Sequence, residues 1–312
     1  MKYKKGLLLL VSAVLLALLL AACGGGGGSE TITLIENPWQ ASELNAAVAK
    51  IIIEREFDNP VEVVALDENA SWDALAGGEA DANLEVWPSG HSERIAEYID
   101  NLGTVEDGGD LGPLGVIGWY VPNYVIDEHP DLASWEGYKD PANAALFATA
   151  ETGENGRFVA ADPSWVQYDE AIISNLELPF QVVWTGSEEA LLAEVSSAYS
   201  RQEPVLFYFY TPHAIFQRFE LTQVQLPAYS DECYADPAAI ACEYPPDQLF
   251  KAISAQLAEK DETVYQFLQN FNYGSSDPQI AMLALLDEGM SVEEAAEQWI
   301  EENETVWQAW LP

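Results

Sequence analysis

The chain has 312 residues, of which 12 are Lys or Arg and 52 are Asp or Glu, for a formal net charge of −40 at pH 7. That balance excludes nucleic acid as a partner, because a phosphate backbone is held by Lys and Arg; it also excludes docking to anionic lipid by charge. With 49% hydrophobic and 11% aromatic residues there is ample material for a core, so disorder is excluded too.

The first 22 residues read as a leader. Lys2, Lys4 and Lys5 precede an almost unbroken apolar run over 7–22, which closes on Leu20-Ala21-Ala22-Cys23. A basic start, an apolar middle and small residues before the cut describe a secretory signal. A cysteine at the cut makes it a lipobox, the site at which exported bacterial lipoproteins receive lipid. The apolar run of about 16 residues is short of the roughly 20 that a spanning helix needs. The expectation is a signal peptide over 1–22, lipid on Cys23, a Gly-rich tether over 23–30, and an extracytoplasmic protein anchored to the cell membrane by that lipid. About 290 residues remain, room for two domains. Their acidic excess reads as a solvated surface that would also modestly enrich a cationic ligand.

In chain order, strands are expected over 31–35, 61–66, 83–86, 116–121, 157–161, 181–184, 205–210 and 222–226. Helices are expected between them over 43–57, with Ser42 as N-cap, and over 71–76, 92–101, 166–176 and 188–200. Beyond residue 226 the chain reads as helical: Pro246 suits the first turn of a helix over 246–259, and others follow over 261–271, 277–287, 292–301 and 304–310. Strand–helix alternation predicts an α/β fold with largely parallel sheets. Cys233 and Cys242 form an even pair outside the cytoplasm, so a disulfide is expected; a metal site is the alternative, but no His lies near them in sequence.

Enzyme signatures do not emerge. There is no G-x-S-x-G elbow, no phosphate-binding loop and no H-E-x-x-H, and His91, His129 and His213 have no metal-ligand spacing. No cofactor is implied, and among 52 acids nothing singles out a general acid or base. Aromatic residues are the anomaly, with 10 Trp and 14 Tyr. Several sit just past strand ends, where α/β sheets place ligands. Trp39 follows the first strand, Trp87 ends Leu84-Glu85-Val86, Tyr120 lies in Gly118-Trp119-Tyr120-Val121-Pro122, and Tyr210 ends Phe207-Tyr208-Phe209-Tyr210. Converging ring faces would bind a quaternary ammonium by cation–π attraction, since a methylated nitrogen has no N–H to donate. Packing is the alternative for each ring. Of Trp119 and Tyr120 only one should reach a cleft, because strand neighbours point to opposite faces. Trp72, Trp135, Trp184, Trp299, Trp307 and Trp310 are assigned to packing.

These residues resemble a known family. Asn37-Pro38-Trp39, Leu84-Glu85-Val86-Trp87-Pro88, Gly118-Trp119-Tyr120-Val121-Pro122, Asp162-Pro163-Ser164-Trp165, Tyr210-Thr211-Pro212-His213 and Tyr244-Pro245-Pro246-Asp247 look like the glycine betaine/choline substrate-binding proteins of ABC importers. The likeness runs over nearly the whole mature chain. It implies a two-lobed, type II periplasmic-binding-protein-like fold with the ligand between the lobes. Lobe one would hold 31–118 and 219–312, and lobe two 119–218. It also implies an aromatic cage at Trp39, Trp87, Tyr120 and Tyr210, although some members carry Trp at the last position.

Choline-type members can place an acid shortly after the first Trp; here Gln40, Ala41 and Ser42 follow, which favours glycine betaine or a relative. Donors for a ligand carboxylate would come from His213, Ser164 and backbone N–H groups. His213 reads equally as a packed histidine. Asp162, after a strand at the cleft edge, is a further polar candidate that would suit a ligand hydroxyl or a cation and repel a carboxylate, with a turn residue ahead of Pro163 as the favoured alternative. The partners implied are a quaternary ammonium solute, a membrane permease and its ATPase. A sensor domain or an extracytoplasmic enzyme are the other classes the fold would allow.

Overall fold

The computed structural model describes residues 30–312; the leader, Cys23 and most of the tether lie outside the described residues. Among the described residues no helix is long and apolar enough to cross a membrane. Strand β1 (Ile32–Glu36) pairs in parallel with β2 (Val61–Ala65) on one side and β3 (Ala82–Val86) on the other. Helices α1 (Gln40–Glu56) and α2 (Glu68–Gly77) connect them. β3 is buried along its whole length, as a strand covered on both faces should be. α1 starts three residues earlier than its apolar spacing suggests. Trp39, with extended φ −152 and ψ 150, takes the N-cap position, and Ser42 instead accepts the Asn37 N–H at 2.9 Å. α2 is capped by Asp67, which accepts the N–H groups of Asn69 and Ala70, and it stops at Gly78, whose φ of 74 suits glycine.

A second set of parallel strands lies further along the chain. β5 (Gly156–Ala160) pairs with β6 (Phe180–Trp184) and β7 (Leu206–Thr211), with α3 (Asp169–Asn175) and α4 (Glu188–Arg201) in the connections. The sets are joined by β4 (Val105–Pro122), an 18-residue strand. Up to Gly115 it runs antiparallel to β9 (Asp247–Ser254); from Val116 its partner is β7, and its last residues also pair with β8 (Leu221–Gln223). The strand order is β2-β1-β3-β9-β4-β7-β5-β6, with β8 on β4. The result is a two-lobed α/β fold in which β4 changes partners where the two sets of strands meet.

Two expectations are corrected. Residues 247–254, expected as part of a helix, form β9, because they fill the gap between β3 and β4 and satisfy the backbone groups of both. The sheet is also mixed rather than largely parallel: every antiparallel pair involves β4 or β9. The first half of β4, Val105-Glu-Asp-Gly-Gly-Asp-Leu-Gly-Pro-Leu-Gly115, has the composition of a loop and is a strand only through β9.

The C-terminal helices α5 (Glu262–Asn270), α6 (Asp277–Asp287) and α7 (Val292–Glu302) follow the expected order, and α7 packs on α1. A capping box between Ser291 and Glu294 starts α7. Trp299 and Trp310 stack with ring centroids 5.9 Å apart, so these two tryptophans do serve packing. Cys233 and Cys242 are joined as a disulfide. Residues 219–246 lie against the middle segment: β8 pairs with the far end of β4, and Asn175 donates to the carbonyls of Ala238 and Ile240.

Candidate ligand-binding site

Where β4 changes partners, a cavity opens between the two sets of strands. It encloses about 450 Å³ of empty space, including its opening to solvent. Aromatic rings make most of its wall: Trp39, Trp87, Trp165, Tyr168, Tyr208, Tyr210 and Tyr244. Ile117, Glu68, Ser89, Gly90 and Val166 complete it. The rings meet mostly edge to face. Trp39 and Trp165 are 5.9 Å apart at 85°, Trp87 and Tyr210 5.4 Å at 76°, and Tyr208 and Tyr244 6.2 Å at 82°.

Local structure explains each position. Trp39 caps α1 directly after β1, and Trp87 follows β3 before a single turn over Pro88–Gly90. Gly115 of β4 lies against the Trp87 ring, and any Cβ there would collide with its six-membered ring. Tyr208 and Tyr210 alternate with Phe207 and Phe209 on β7, so both tyrosines reach the same face. Trp165 is fixed by its indole N–H, which donates to the Pro38 carbonyl at 3.0 Å across the cleft.

Behind the rings stand buried carboxylates. Glu85 Oε1 accepts the indole N–H of Trp39 at 2.9 Å and of Trp87 at 3.1 Å, while Oε2 accepts Asn45 and Gln279 amide protons. Glu188 accepts the Tyr210 hydroxyl at 2.6 Å and the backbone N–H of Gln40. Asp169 accepts the Tyr244 hydroxyl at 3.1 Å, and Asp247 accepts both the hydroxyl and the N–H of Ser89. Glu68 accepts from His91 Nε2 at 2.6 Å and from the Val166 N–H at 2.7 Å. All five acids are at 9% exposure or less. Burial pushes Glu85 up to about 7 against the hydrogen bonds from the two indoles and Gln279, which hold it down. It pushes Asp169 up to about 7 as well, against Trp119 and Tyr244. Burial, reinforced by nearby carboxylates, holds the phenols of Tyr208, Tyr210 and Tyr244 well above their ordinary range, so all three are neutral donors. No Lys or Arg is among the described residues lining the cavity.

Of the residues expected from sequence, Trp39, Trp87 and Tyr210 come together on the wall. Tyr120 does not. It points to the opposite face of β4 from Ile117 and packs on Phe207 and Phe216, at 6.2 and 4.9 Å. Trp119 is on the cavity side but sits deeper, 4.7 Å from Phe158, with its indole N–H on Asp169. Asp162 closes a turn by accepting the Ser164 N–H, and neither lines the cavity. His213 is buried behind Tyr210, its ring 5.6 Å away; Nδ1 accepts the Ile215 N–H and Nε2 lies 3.4 Å from Glu188. The site residues expected from sequence do not include Trp165, Tyr168, Tyr208, Tyr244 or the five carboxylates. Tyr208 shares strand parity with Tyr210, a signal that was there to be read.

A family model described as the substrate binding domain of ABC-type glycine betaine transport systems matches residues 30–302. The trimethylamine N-oxide-binding protein of Pelagibacter ubique is 26% identical over 285 residues, covering 88% of this chain and 89% of that protein. Among solved structures, lactococcal OpuAC in its closed form with glycine betaine aligns at 19% identity and TM-score 0.71, over 91% of this chain and all of that one. An ABC-transporter choline-binding protein in complex with choline aligns at 18% identity and TM-score 0.71, over 90% and 91%.

Proposed function

The chain belongs to the family of substrate-binding domains of ABC-type glycine betaine transport systems, and from that premise we propose that it captures a small solute bearing a trimethylated nitrogen and hands it to an ABC importer. Its family and fold are those of solute-binding proteins, not of enzymes. The observation that carries the ligand class is the wall of seven aromatic rings backed by carboxylates. Ring quadrupoles attract a cation, and a methylated nitrogen asks for no hydrogen bonds in return. Zwitterionic glycine betaine, cationic choline and trimethylamine N-oxide all carry that group.

The lobes, on this reading, are 31–115 with 247–312 and 116–246, since β4 and β9 are where the pairings change; the sequence alone suggested 119–218 for the second lobe. Trp39, Trp87 and Glu68 then face Trp165, Tyr208, Tyr210 and Tyr244 across the hinge, and closure brings both sides onto the ligand. The lipobox at Cys23 anchors the protein beside its permease and ATPase. A calorimetric titration of the purified protein with glycine betaine, choline, trimethylamine N-oxide and carnitine tests the reading: at least one should bind saturably, and failure of all four would refute it.

A further inference from the structure

The cavity wall is unsuited to a ligand carboxylate. Such a group needs donors, and apart from two phenol hydroxyls those at hand are spent. The N–H groups of Ser89, Gly90, Val166 and Tyr168 donate to Asp247, the Trp87 carbonyl, Glu68 and the Tyr244 hydroxyl. The indoles of Trp39, Trp87 and Trp165 and the hydroxyls of Tyr210 and Tyr244 are committed likewise. Among the described residues, the two lining hydroxyls without a hydrogen-bond partner are those of Tyr168 and Tyr208.

The wall does present a carboxylate of its own. Glu68, in the first turn of α2, is the charged side chain on the lining. Trp72 donates its indole N–H to His91 Nδ1 at 3.3 Å, so the ring proton of His91 sits on Nε2 and points at Glu68. Glu68 is therefore held by two neutral donors, with no Lys or Arg beside it, and each of its oxygens keeps a free lone pair.

We propose that Glu68 selects the ligand by its far end: the substrate is a small trimethylammonium cation whose other end is a hydroxyl or another uncharged group, not a carboxylate. A ligand hydroxyl would donate to Glu68 and accept from Tyr208, whereas a ligand carboxylate would face Glu68 at close range in a low-dielectric pocket. The acid that sequence reasoning sought just after Trp39 is thus supplied from α2 instead. This inference rests on the trimethylammonium reading above and narrows it.

The test is titration of the purified exported protein, wild type and Glu68→Gln, with tetramethylammonium, choline and glycine betaine. Tetramethylammonium has no far end, so it reports on the rings alone. Wild type should bind choline at least about tenfold more tightly than glycine betaine, and Glu68→Gln should shrink that ratio several-fold while still binding tetramethylammonium. Glycine betaine binding wild type as tightly as choline would overturn the proposal, whether or not the variant folds. So would an unchanged ratio in a variant that retains tetramethylammonium. Wild type that binds none of the three would instead overturn the underlying trimethylammonium reading.

Discussion

Trp39 and Trp87 donate their indole N–H groups to one and the same oxygen, Glu85 Oε1. The residues come from different strand ends, yet one buried carboxylate sets the planes of both rings. With Asn45 and Gln279 on its other oxygen, Glu85 satisfies four donors at once. Replacing it by Ala strands all four, at about 1–3 kcal/mol for each buried donor left unpaired. Glu85→Ala should lower the unfolding temperature by several degrees and weaken ligand binding at least about tenfold. Gln is no rescue, because its NH₂ would face donors. Thermal melts with and without ligand check this; a variant with native stability and affinity would refute the positioning role.

The ring set seen in the structure differs from the set read along the strands, and mutation separates them. Trp165→Ala removes a ring from the wall and should cost several-fold or more in affinity, from lost cation–π attraction of about 0.5–2 kcal/mol and the void left behind. Tyr120→Phe should leave affinity unchanged, since Tyr120 packs on Phe207 and Phe216 away from the cavity. Titration of both variants with one trimethylated ligand decides the matter.

Acidity sets a pH dependence of definite sign. Glu85 and Asp169 are raised by burial to about 7 from ordinary values of 4.5 and 3.8. Glu43, half-buried beside other acids, is also raised to about 7 by partial burial and then by those acids. Between those ordinary values and 7 the folded chain binds more protons than the unfolded one, so stability falls as pH rises through this window and levels off above it. The urea midpoint of the ligand-free protein should accordingly be lower at pH 8 than at pH 5. Cation affinity should move the opposite way, rising from pH 5 to pH 8, because a bound positive charge favours the ionised carboxylates behind the rings. Ligand affinity that falls across this range would contradict the electrostatic account.

What was legible in the sequence was local. Trp39, Trp87 and Tyr210 stand at strand ends, and a strand end can be read from a few neighbours. The paired Cys233 and Cys242 needed only an even count and a compartment. Non-local features were hidden. β9 is a strand because β3 and β4 flank it, which no window around Gln248 reports. Tyr120 and Ile117 differ only in parity on β4, and the cavity side of that strand is decided by lobes brought together from distant segments. Trp165 and Tyr244 sit in loops, where no period marks a direction. Glu85 was quoted within its strand but is one of 52 acids; its role exists only once two indoles arrive from elsewhere.

The central claim is that the cavity recognises methylated nitrogen through ring faces. It is tested most directly by comparing affinity for a trimethylated ligand with that for its unmethylated counterpart, choline against ethanolamine and glycine betaine against glycine, in wild type and Trp87→Ala. Unmethylated ligands would surrender water from their N–H groups and find few acceptors on the rings. The account predicts strong preference for the trimethylated member in wild type and a loss of about tenfold or more in Trp87→Ala, with Trp135→Ala unchanged because its ring lies off the cavity, against Lys139. Equal affinity for methylated and unmethylated ligands in wild type, or full affinity in Trp87→Ala, would contradict it.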